Sequence, residues 1–230
     1  MKKLHRFYLA DFPTSGEFEL VDKDLVHQLA NVLRYKTDEE FIVFSVGSLD
    51  YVVRIVSMDK KKLVVRHIET NIPCEAPSTY LIAAVSIVKR DLFELIVQKL
   101  TELGIREIVP LLSGRTIKQS IRHDRLLAIS KEAVEQSGQH TFPVIHEPIT
   151  LQEALIAFPI TSVVFDPREP ESSITRTEKI AMYIGPEGGW SDQDIELFKS
   201  YTAIHYQKLG TTILRTETAA IVGAYSILHL

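Results

Sequence analysis

The chain of 230 residues contains a single cysteine, Cys74. One cysteine excludes an internal disulfide and fits a reducing compartment. No stretch approaches the roughly 18 apolar residues that a membrane-spanning helix needs. The segment from Met1 to Gly16 also lacks the continuous apolar core of a signal peptide. These absences predict a cytoplasmic protein without a membrane association.

Several catalytic and metal signatures are missing too. The eight histidines show neither an HExxH motif nor the Cys/His spacing of a zinc site, so no metal is expected. There is no G-x-S-x-G elbow, which disfavours a serine hydrolase. Charge of one sign is not in large excess, because the formal net charge is only −4. A site for a polyanion would therefore be a local patch and not the whole surface.

The first seventy residues are β-rich, with one helix predicted from Asp22 to Leu33 by its apolar spacing. The predicted strands are Glu40 to Phe44, Tyr51 to Val56 and Leu63 to Ile68. This pattern favours a small barrel with a helix packed against it. The segment from Asn71 to Ser78 contains two prolines, which disfavour both helix and sheet. We therefore expect one domain over residues 1–72 and a second over residues 73–230.

In the second domain, strands and helices alternate. Tyr80 to Val88 is a continuous apolar stretch, typical of a strand covered on both faces. The next helix is predicted to begin at an Asp91 N-cap, with Glu94 completing a capping box, and to end at Gly104. Further strands are predicted at Ile105–Leu112, Val144–Ile145, Thr161–Asp166, Lys179–Ile184 and Ala203–Lys208, and further helices at Asp124–Ser137, Glu153–Ala157, from Ser191 onward with Asp194 in its cap, and Thr216–His229. This alternation predicts an α/β fold with a mainly parallel sheet and helices on both faces.

Two glycine-bearing loops follow the last two predicted strands. The first reads IGPEGGWS (Ile184–Ser191) and the second reads LGTTILRTETAA (Leu209–Ala220). Ligands bind at the carboxyl ends of strands in open α/β sheets, so we expect the two loops to form one small-molecule pocket. Neither loop has the Lys-Ser/Thr ending of a P-loop or the GxGxxG pattern, which disfavours a nucleotide phosphate. The glycines fit either a tight turn or a close approach of the backbone to a ligand.

Arg215 stands directly before a predicted helix, although helix N-termini favour negative groups. One interpretation is an ion pair with Glu187 or Glu217. The other is a guanidinium directed at an oxygen or a phosphate of a substrate.

The pair of motifs, GPEGG and LG-x-x-ILR-x-ETA, resembles the RsmE family of the SPOUT methyltransferase superfamily. Weaker similarity runs along the rest of the chain, at Arg6-Phe7, at His27 with Val32-Leu33-Arg34, at Lys99–Gly104, at Arg115 and at Glu132–Ser137. The resemblance implies an enzyme that uses S-adenosylmethionine to methylate N3 of a specific uridine in small-subunit (16S) ribosomal RNA. It also implies a PUA-like RNA-binding β-barrel, a SPOUT α/β domain with a C-terminal trefoil knot, and a homodimer.

Site residues follow from the resemblance. The cofactor would be held at Phe165, Ile184, Gly185, Gly188, Leu209, Gly210, Ile213 and Leu214. Arg215 would be catalytic, by stabilising negative charge on the uracil oxygens, and Glu217 is a tentative partner in catalysis. Contacts to ribosomal RNA or to the small subunit are expected from Arg6, Arg34, Arg115, Lys118, Arg122 and Arg125. The basic residues between 115 and 131 also fit an ordinary solvated face.

The chain departs from the family pattern at two places. The family usually has an arginine where this chain has Gln139, which puts one RNA contact in doubt, and Asp38-Glu39 replaces a Gly-Asp turn. Two other functions stay open. One is a SPOUT RNA methyltransferase that modifies another position, such as a ribose 2′-oxygen, and the other is a noncatalytic RNA-binding assembly factor.

Overall fold

The structure is a computed structural model of the chain, and it describes residues 4–59, 62–71, 77–117, 119–175 and 177–230. The chain divides into two compact units. The first contains residues 1–75 and 134–141, and the second contains residues 76–133 and 142–230. The boundary expected between residues 72 and 73 lies outside the described residues. The segment 134–141, which we expected in the second domain, groups with the first unit.

The first unit is built on a five-stranded mixed sheet. Its elements are β1 (Arg6–Tyr8), β2 (Glu17–Leu20), α1 (Lys23–His27), β3 (Glu40–Phe44), β4 (Asp50–Met58) and β5 (Leu63–Asn71). The strand order is β1-β3-β4-β5-β2, with β1 parallel to β3 and the other pairs antiparallel. The three predicted strands are confirmed. Strands β1 and β2 were missed because three or four residues are too few to show a period-two pattern.

This sheet forms a half-barrel around its own core. Inward side chains of the strands, such as Phe41, Val53 and Val65, pack with Leu25 and Val26 of α1 in one buried cluster. Asp22 caps α1, because its Oδ1 accepts hydrogen bonds from the backbone N of Asp24 at 3.0 Å and of Leu25 at 2.9 Å. The small barrel expected with a helix packed against it is therefore found as a half-barrel, with α1 packed against it.

The predicted helix keeps its extent but changes its geometry half-way. After α1, residues Gln28–Val32 form a π-helical segment. Arg34 follows with a φ of 55°, which is uncommon for a residue other than glycine. Such strained backbone is often found at functional sites. Arg34 lies just after the end of this helical segment and is exposed.

The second unit contains a seven-stranded parallel sheet. Its elements are β6 (Tyr80–Ser86), α2 (Arg90–Glu102), β7 (Glu107–Leu112), α3 (His123–Ser137), β8 (Val144–Ile145), β9 (Ile149–Thr150), α4 (Leu151–Ala157), β10 (Ser162–Phe165), β11 (Lys179–Ile184), α5 (Asp192–Lys199), β12 (Ile204–Gln207) and α6 (Thr216–Leu228). The strand order is β12-β10-β11-β6-β7-β8, and β9 also pairs with β7. Every pair is parallel, as the alternating pattern predicted. The trefoil knot stays a prediction.

Both faces of this sheet are covered. Alternate residues of β6 point in opposite directions, so Leu81 and Ala83 join one buried cluster and Ile82 joins the other. Helices α2, α3 and α6 contribute to the first cluster, whereas α4 and α5 contribute to the second. A strand buried on both faces needs apolar residues at every position, which explains the continuous apolar stretches in the sequence. In the part of the chain that the structure describes, no helix is long and apolar enough to span a membrane.

One predicted helix start is wrong. Lys89, not Asp91, occupies the N-cap of α2 and makes no side-chain capping bond. Asp91 lies in the first turn, where its charge still complements the helix dipole. The end is correct, since Gly104 and Ile105 donate backbone hydrogen bonds to Thr101 and Leu100 in the pattern of a Schellman motif.

Candidate functional site

A cavity of about 350 Å³ lies at the carboxyl ends of three neighbouring strands. This volume is typical of small-molecule sites, which measure roughly 300–1,000 Å³. The lining of the cavity includes the last residues of β10, β11 and β12 and residues that follow these strands. All eight residues predicted to hold a cofactor are among them: Phe165, Ile184, Gly185, Gly188, Leu209, Gly210, Ile213 and Leu214. The expectation that the two loops form one pocket is confirmed.

The sheet order explains why the loops meet. Strand β10 lies between β11 and β12, and all three run in the same direction. Their carboxyl ends therefore share one edge of the sheet. The Thr216 hydroxyl, at the start of α6, donates a 3.1 Å hydrogen bond to the carbonyl oxygen of Gly185. This bond ties the second loop directly to the first.

Trp190 packs between the first loop and Phe198 of α5. Its indole is buried, lies against Phe198 at 5.0 Å between ring centroids and donates from Nε1 to the Phe165 carbonyl at 3.3 Å. A Cβ atom added to Gly185 would lie 3.1 Å from Cε2 of Trp190. A side chain at this position would crowd the indole, so Gly185 allows close packing against Trp190, which neither interpretation of the glycine motif foresaw.

An ion pair that the sequence did not reveal braces the same edge. Asp166 is only 2% exposed, and its Oδ2 lies 2.7 Å from Nη2 of Arg168. Burial by itself would raise the pKa of Asp166, but the side-chain and backbone hydrogen bonds from Arg168 hold that pKa below its ordinary value. Arg168 also donates to the Trp190 carbonyl at 3.0 Å. The available signal was an acid directly after a buried strand with an arginine two residues later.

The two predicted catalytic residues lie beside the cavity but do not line it. Arg215 is exposed and occupies the N-cap of α6. Within the described residues its guanidinium makes no ion pair with Glu187 or Glu217, so the structure does not support that interpretation. Glu217 is 9% exposed, and its Oε2 has no hydrogen-bond partner among those residues. A buried carboxylate oxygen without a partner is costly, which points to a role beyond folding.

The predicted RNA contacts occupy different positions. Arg34, Arg122 and Arg125 are exposed. Arg122 pairs with Asp124 at 2.7 Å, and Arg125 with Glu94 at 3.4 Å. Lys118 lies outside the described residues. Arg115 lines the cavity, where its Nη1 donates to the Gly188 carbonyl at 2.8 Å.

Arg6 does not face solvent. Its side chain is 10% exposed, and its Nη2 lies 2.9 Å from Oδ1 of Asp50. The same guanidinium lies 4.2 Å above the ring of Phe44 and donates to the Val134 carbonyl at 3.1 Å. Asp50 also pairs with His140 at 2.8 Å. Arg6 therefore fixes the segment 134–141 within the first unit, and it is a poor candidate for an RNA contact.

Among the residues that the structure describes, no three His, Cys, Asp or Glu side chains lie close enough together to hold an ion.

Known proteins resemble this chain in sequence. The family model described as an RNA methyltransferase domain matches residues 75–228. A Rickettsia conorii protein named ribosomal RNA small subunit methyltransferase E is 31% identical over 229 residues, covering 96% of this chain and 93% of that protein. The chain belongs to the ribosomal RNA small subunit methyltransferase E family. The resemblance inferred from the two C-terminal motifs is confirmed.

Solved structures of this family and its relatives agree along the whole length. A ribosomal RNA small subunit methyltransferase E from Neisseria gonorrhoeae, bound to S-adenosyl methionine, has a TM-score of 0.84 at 28% identity and covers 99% of this chain and 98% of its own. A Legionella pneumophila protein whose structure contains the bound cofactor SAM has a TM-score of 0.87 at 26% identity, with the same two coverages. The family member described here therefore shares both of its units with these proteins.

Proposed function

We propose that this chain is an S-adenosylmethionine-dependent methyltransferase that acts on N3 of a uridine in small-subunit ribosomal RNA. The observation that carries the proposal is the single cavity shared by the GPEGG and ILRTETA loops. Membership of the family and the cofactor bound by two similar structures support it.

The residues of the cavity fit S-adenosylmethionine. Phe165, Ile184, Leu209 and Leu214 offer apolar walls for an adenine ring, while glycine backbone offers polar groups without side chains in the way. The cavity also contains the charged side chains of Arg115 and Glu187, which suit the carboxylate and ammonium of an amino acid moiety. A lysine-based cradle for a triphosphate is missing from both loops. We therefore assign the cofactor to this cavity.

The residues around the cavity suggest how the reaction is assisted. The cofactor supplies an activated methyl group on a sulfonium. Loss of the N3 proton spreads negative charge over O2 and O4 of uracil, and we propose that the Arg215 guanidinium stabilises this charge. Glu217, two residues further on, is the proposed acceptor of that proton or the group that orients Arg215. The Thr216–Gly185 hydrogen bond fixes the start of α6, and with it Arg215 and Glu217, relative to the first cofactor loop.

Mapping modified nucleotides tests the proposed activity. With S-adenosylmethionine and small-subunit RNA or subunits, the chain should produce N3-methyluridine at one site. Substituting cytidine for the target uridine should abolish the modification at N3, because cytidine has no N3 proton to lose and forms no uracil anion for Arg215 to stabilise. A 2′-O-methylated cytidine at that site would instead indicate a ribose 2′-oxygen as the acceptor. Cofactor binding by calorimetry without any modified nucleotide would favour a noncatalytic role.

RNA binding is proposed for the exposed arginines of both units. In the first unit Arg34 stands on strained backbone after the π-helical segment, and in the second Arg122 and Arg125 stand at the start of α3. Contacts of this kind position phosphates without reading sequence. Lys118 and Arg115 remain candidates by resemblance. We also propose a cytoplasmic location, because the proposed substrate is ribosomal RNA.

Charge reversal at Arg122 is expected to weaken RNA binding and to flatten its dependence on salt. Losing one phosphate contact reduces the slope of log K against log salt by about one. The affinity for small-subunit RNA should be measured between low and physiological salt for the unaltered chain and for Arg122→Glu. Lys199→Glu is a matched control, because Lys199 is also exposed and paired, with Glu169 at 2.9 Å. Equal slopes for all three proteins would contradict the contact.

We also propose a homodimer. Helix α6 is apolar on both its inner and its outer side. On the outer side, Val222 and Tyr225 are exposed. Ile213, in the second loop, is 89% exposed. A helix that is apolar all round is normally buried, so a partner is expected to cover this surface. A second copy would bring its own apolar surface to the same place, beside the cofactor loops.

A further inference from the structure

Asp194 does more than cap a helix. It is buried in the first turn of α5, where its Oδ2 accepts hydrogen bonds from the Ser191 backbone N at 2.8 Å and the Ser191 Oγ at 2.7 Å. Both carboxylate oxygens also accept from the backbone N of Gly114 at 3.3 Å. A capping box needs only Ser191 and Asp194. The additional contact joins α5 to the turn that follows β7.

Gly114 permits this contact by its small size. A Cβ atom at this position would lie 2.6 Å from Oγ of Ser191 and 3.2 Å from Oδ2 of Asp194. The φ of Gly114 is not in the left-handed region, so the backbone conformation alone does not require glycine. Close approach to α5 does.

The turn is also held from within the sheet. Oγ of Ser113 lies 3.0 Å from Oγ of Ser86 and 2.8 Å from Oγ1 of Thr116. The Ser113 backbone N donates to the same Thr116 oxygen at 2.9 Å. The turn 113–116 therefore has fixed contacts on both sides, and Arg115 projects from its corner.

Arg115 connects this turn to the glycine loop. Its Nη1 donates to the carbonyl oxygen of Gly188 at 2.8 Å, and its side chain lines the cavity. The guanidinium has further donors that this single bond does not use. The position of the guanidinium at the cavity depends on where the turn 113–116 places the backbone of Arg115.

We infer that Asp194 and Gly114 are positioning residues, which hold Arg115 against Gly188 and thereby keep the glycine loop in its binding conformation. The inference deepens the proposed function, on which it rests for the identity of the ligand. Fixing a loop before the ligand arrives lowers the entropic cost of binding. This role also explains why the buried Asp194 carboxylate accepts hydrogen bonds from Gly114 in a distant turn as well as from Ser191 in its own helix cap.

The test is a double-mutant cycle on cofactor affinity. Binding of S-adenosylmethionine should be measured by calorimetry for the unaltered chain, Gly114→Ala, Arg115→Ala and the double variant. Each single change should weaken binding about tenfold, the effect of losing one charge-assisted hydrogen bond. The double variant should bind no more weakly than Arg115→Ala, because Gly114 acts only through Arg115. Arg115→Lys should retain most of the affinity, since one ammonium can still donate to Gly188.

Two further variants keep the test decisive. Asp194→Asn should weaken binding only when Arg115 is present, and it replaces Gly114→Ala if that variant does not fold. Asp192→Asn removes the same charge from an exposed position in the same helical turn and should leave affinity unchanged. Additive losses in the cycle, or normal binding by both Gly114→Ala and Asp194→Asn, would overturn the positioning role. Failure of the unaltered chain to bind S-adenosylmethionine would instead overturn the proposed function.

Discussion

Replacing Arg215 with alanine should lower the rate of methyl transfer by about 10²–10³-fold, the usual effect of removing one electrostatic stabiliser from an active site. The affinity for S-adenosylmethionine should change little, because Arg215 is exposed and does not line the cavity. Folding should be unaffected as well, since the guanidinium makes no ion pair within the described residues. Single-turnover methylation of small-subunit RNA and calorimetry with the cofactor measure the two effects separately.

Two companion variants sharpen this result. Arg215→Lys keeps the charge without the guanidinium fork and should recover only part of the rate. Glu217→Gln keeps the shape of a buried side chain but removes its ability to accept a proton. A loss as large as that of Arg215→Ala would assign Glu217 to the reaction, whereas a small loss would leave it as an orienting group. Near-normal turnover by Arg215→Ala would reject the catalytic assignment.

Replacing Trp190 with alanine should have the largest effect on stability. Truncation of a fully buried aromatic side chain costs about 3–5 kcal/mol, which is a large share of the roughly 5–15 kcal/mol that stabilises a domain. For a protein of this size we expect the unfolding temperature to fall by about 10 °C. The loss should also weaken cofactor binding, because Trp190 packs beneath Gly185 and lines the cavity.

Trp190→Phe is the matched control. It keeps an aromatic ring against Phe198 but loses the hydrogen bond from Nε1 to the Phe165 carbonyl. Its cost should be about 1–2 kcal/mol, from imperfect packing and one lost bond. Thermal unfolding of the three proteins, with and without cofactor, measures both the stability and the ligand effect. An alanine variant as stable as the phenylalanine variant would show that Trp190 does not support the loop.

Much of the second unit follows from local pattern. Apolar stretches such as Tyr80–Val88 specify strands buried on both faces, and amphipathic spacing between them specifies covering helices. A Ser191–Asp194 capping box and a Gly104 helix end were also readable, because capping depends on a few adjacent residues. The same local reasoning failed at Asp91. A first-turn acid resembles a cap when neither the backbone conformation nor the true cap, Lys89, is known.

The sequence by itself determined that the two glycine loops follow neighbouring units of an α/β sheet, and the similarity of their motifs indicated the family. It did not determine the partners that those loops acquire. The bonds from Arg168 to Trp190, from Thr216 to Gly185 and from Arg115 to Gly188 join residues 22 to 73 positions apart. Only the parallel strand order brings these groups to one edge of the sheet, and no spacing rule in a linear sequence encodes such a contact. For the same reason the sequence suggested Arg6 as an RNA contact, whereas in the structure its side chain is only 10% exposed and pairs with Asp50, 44 residues away.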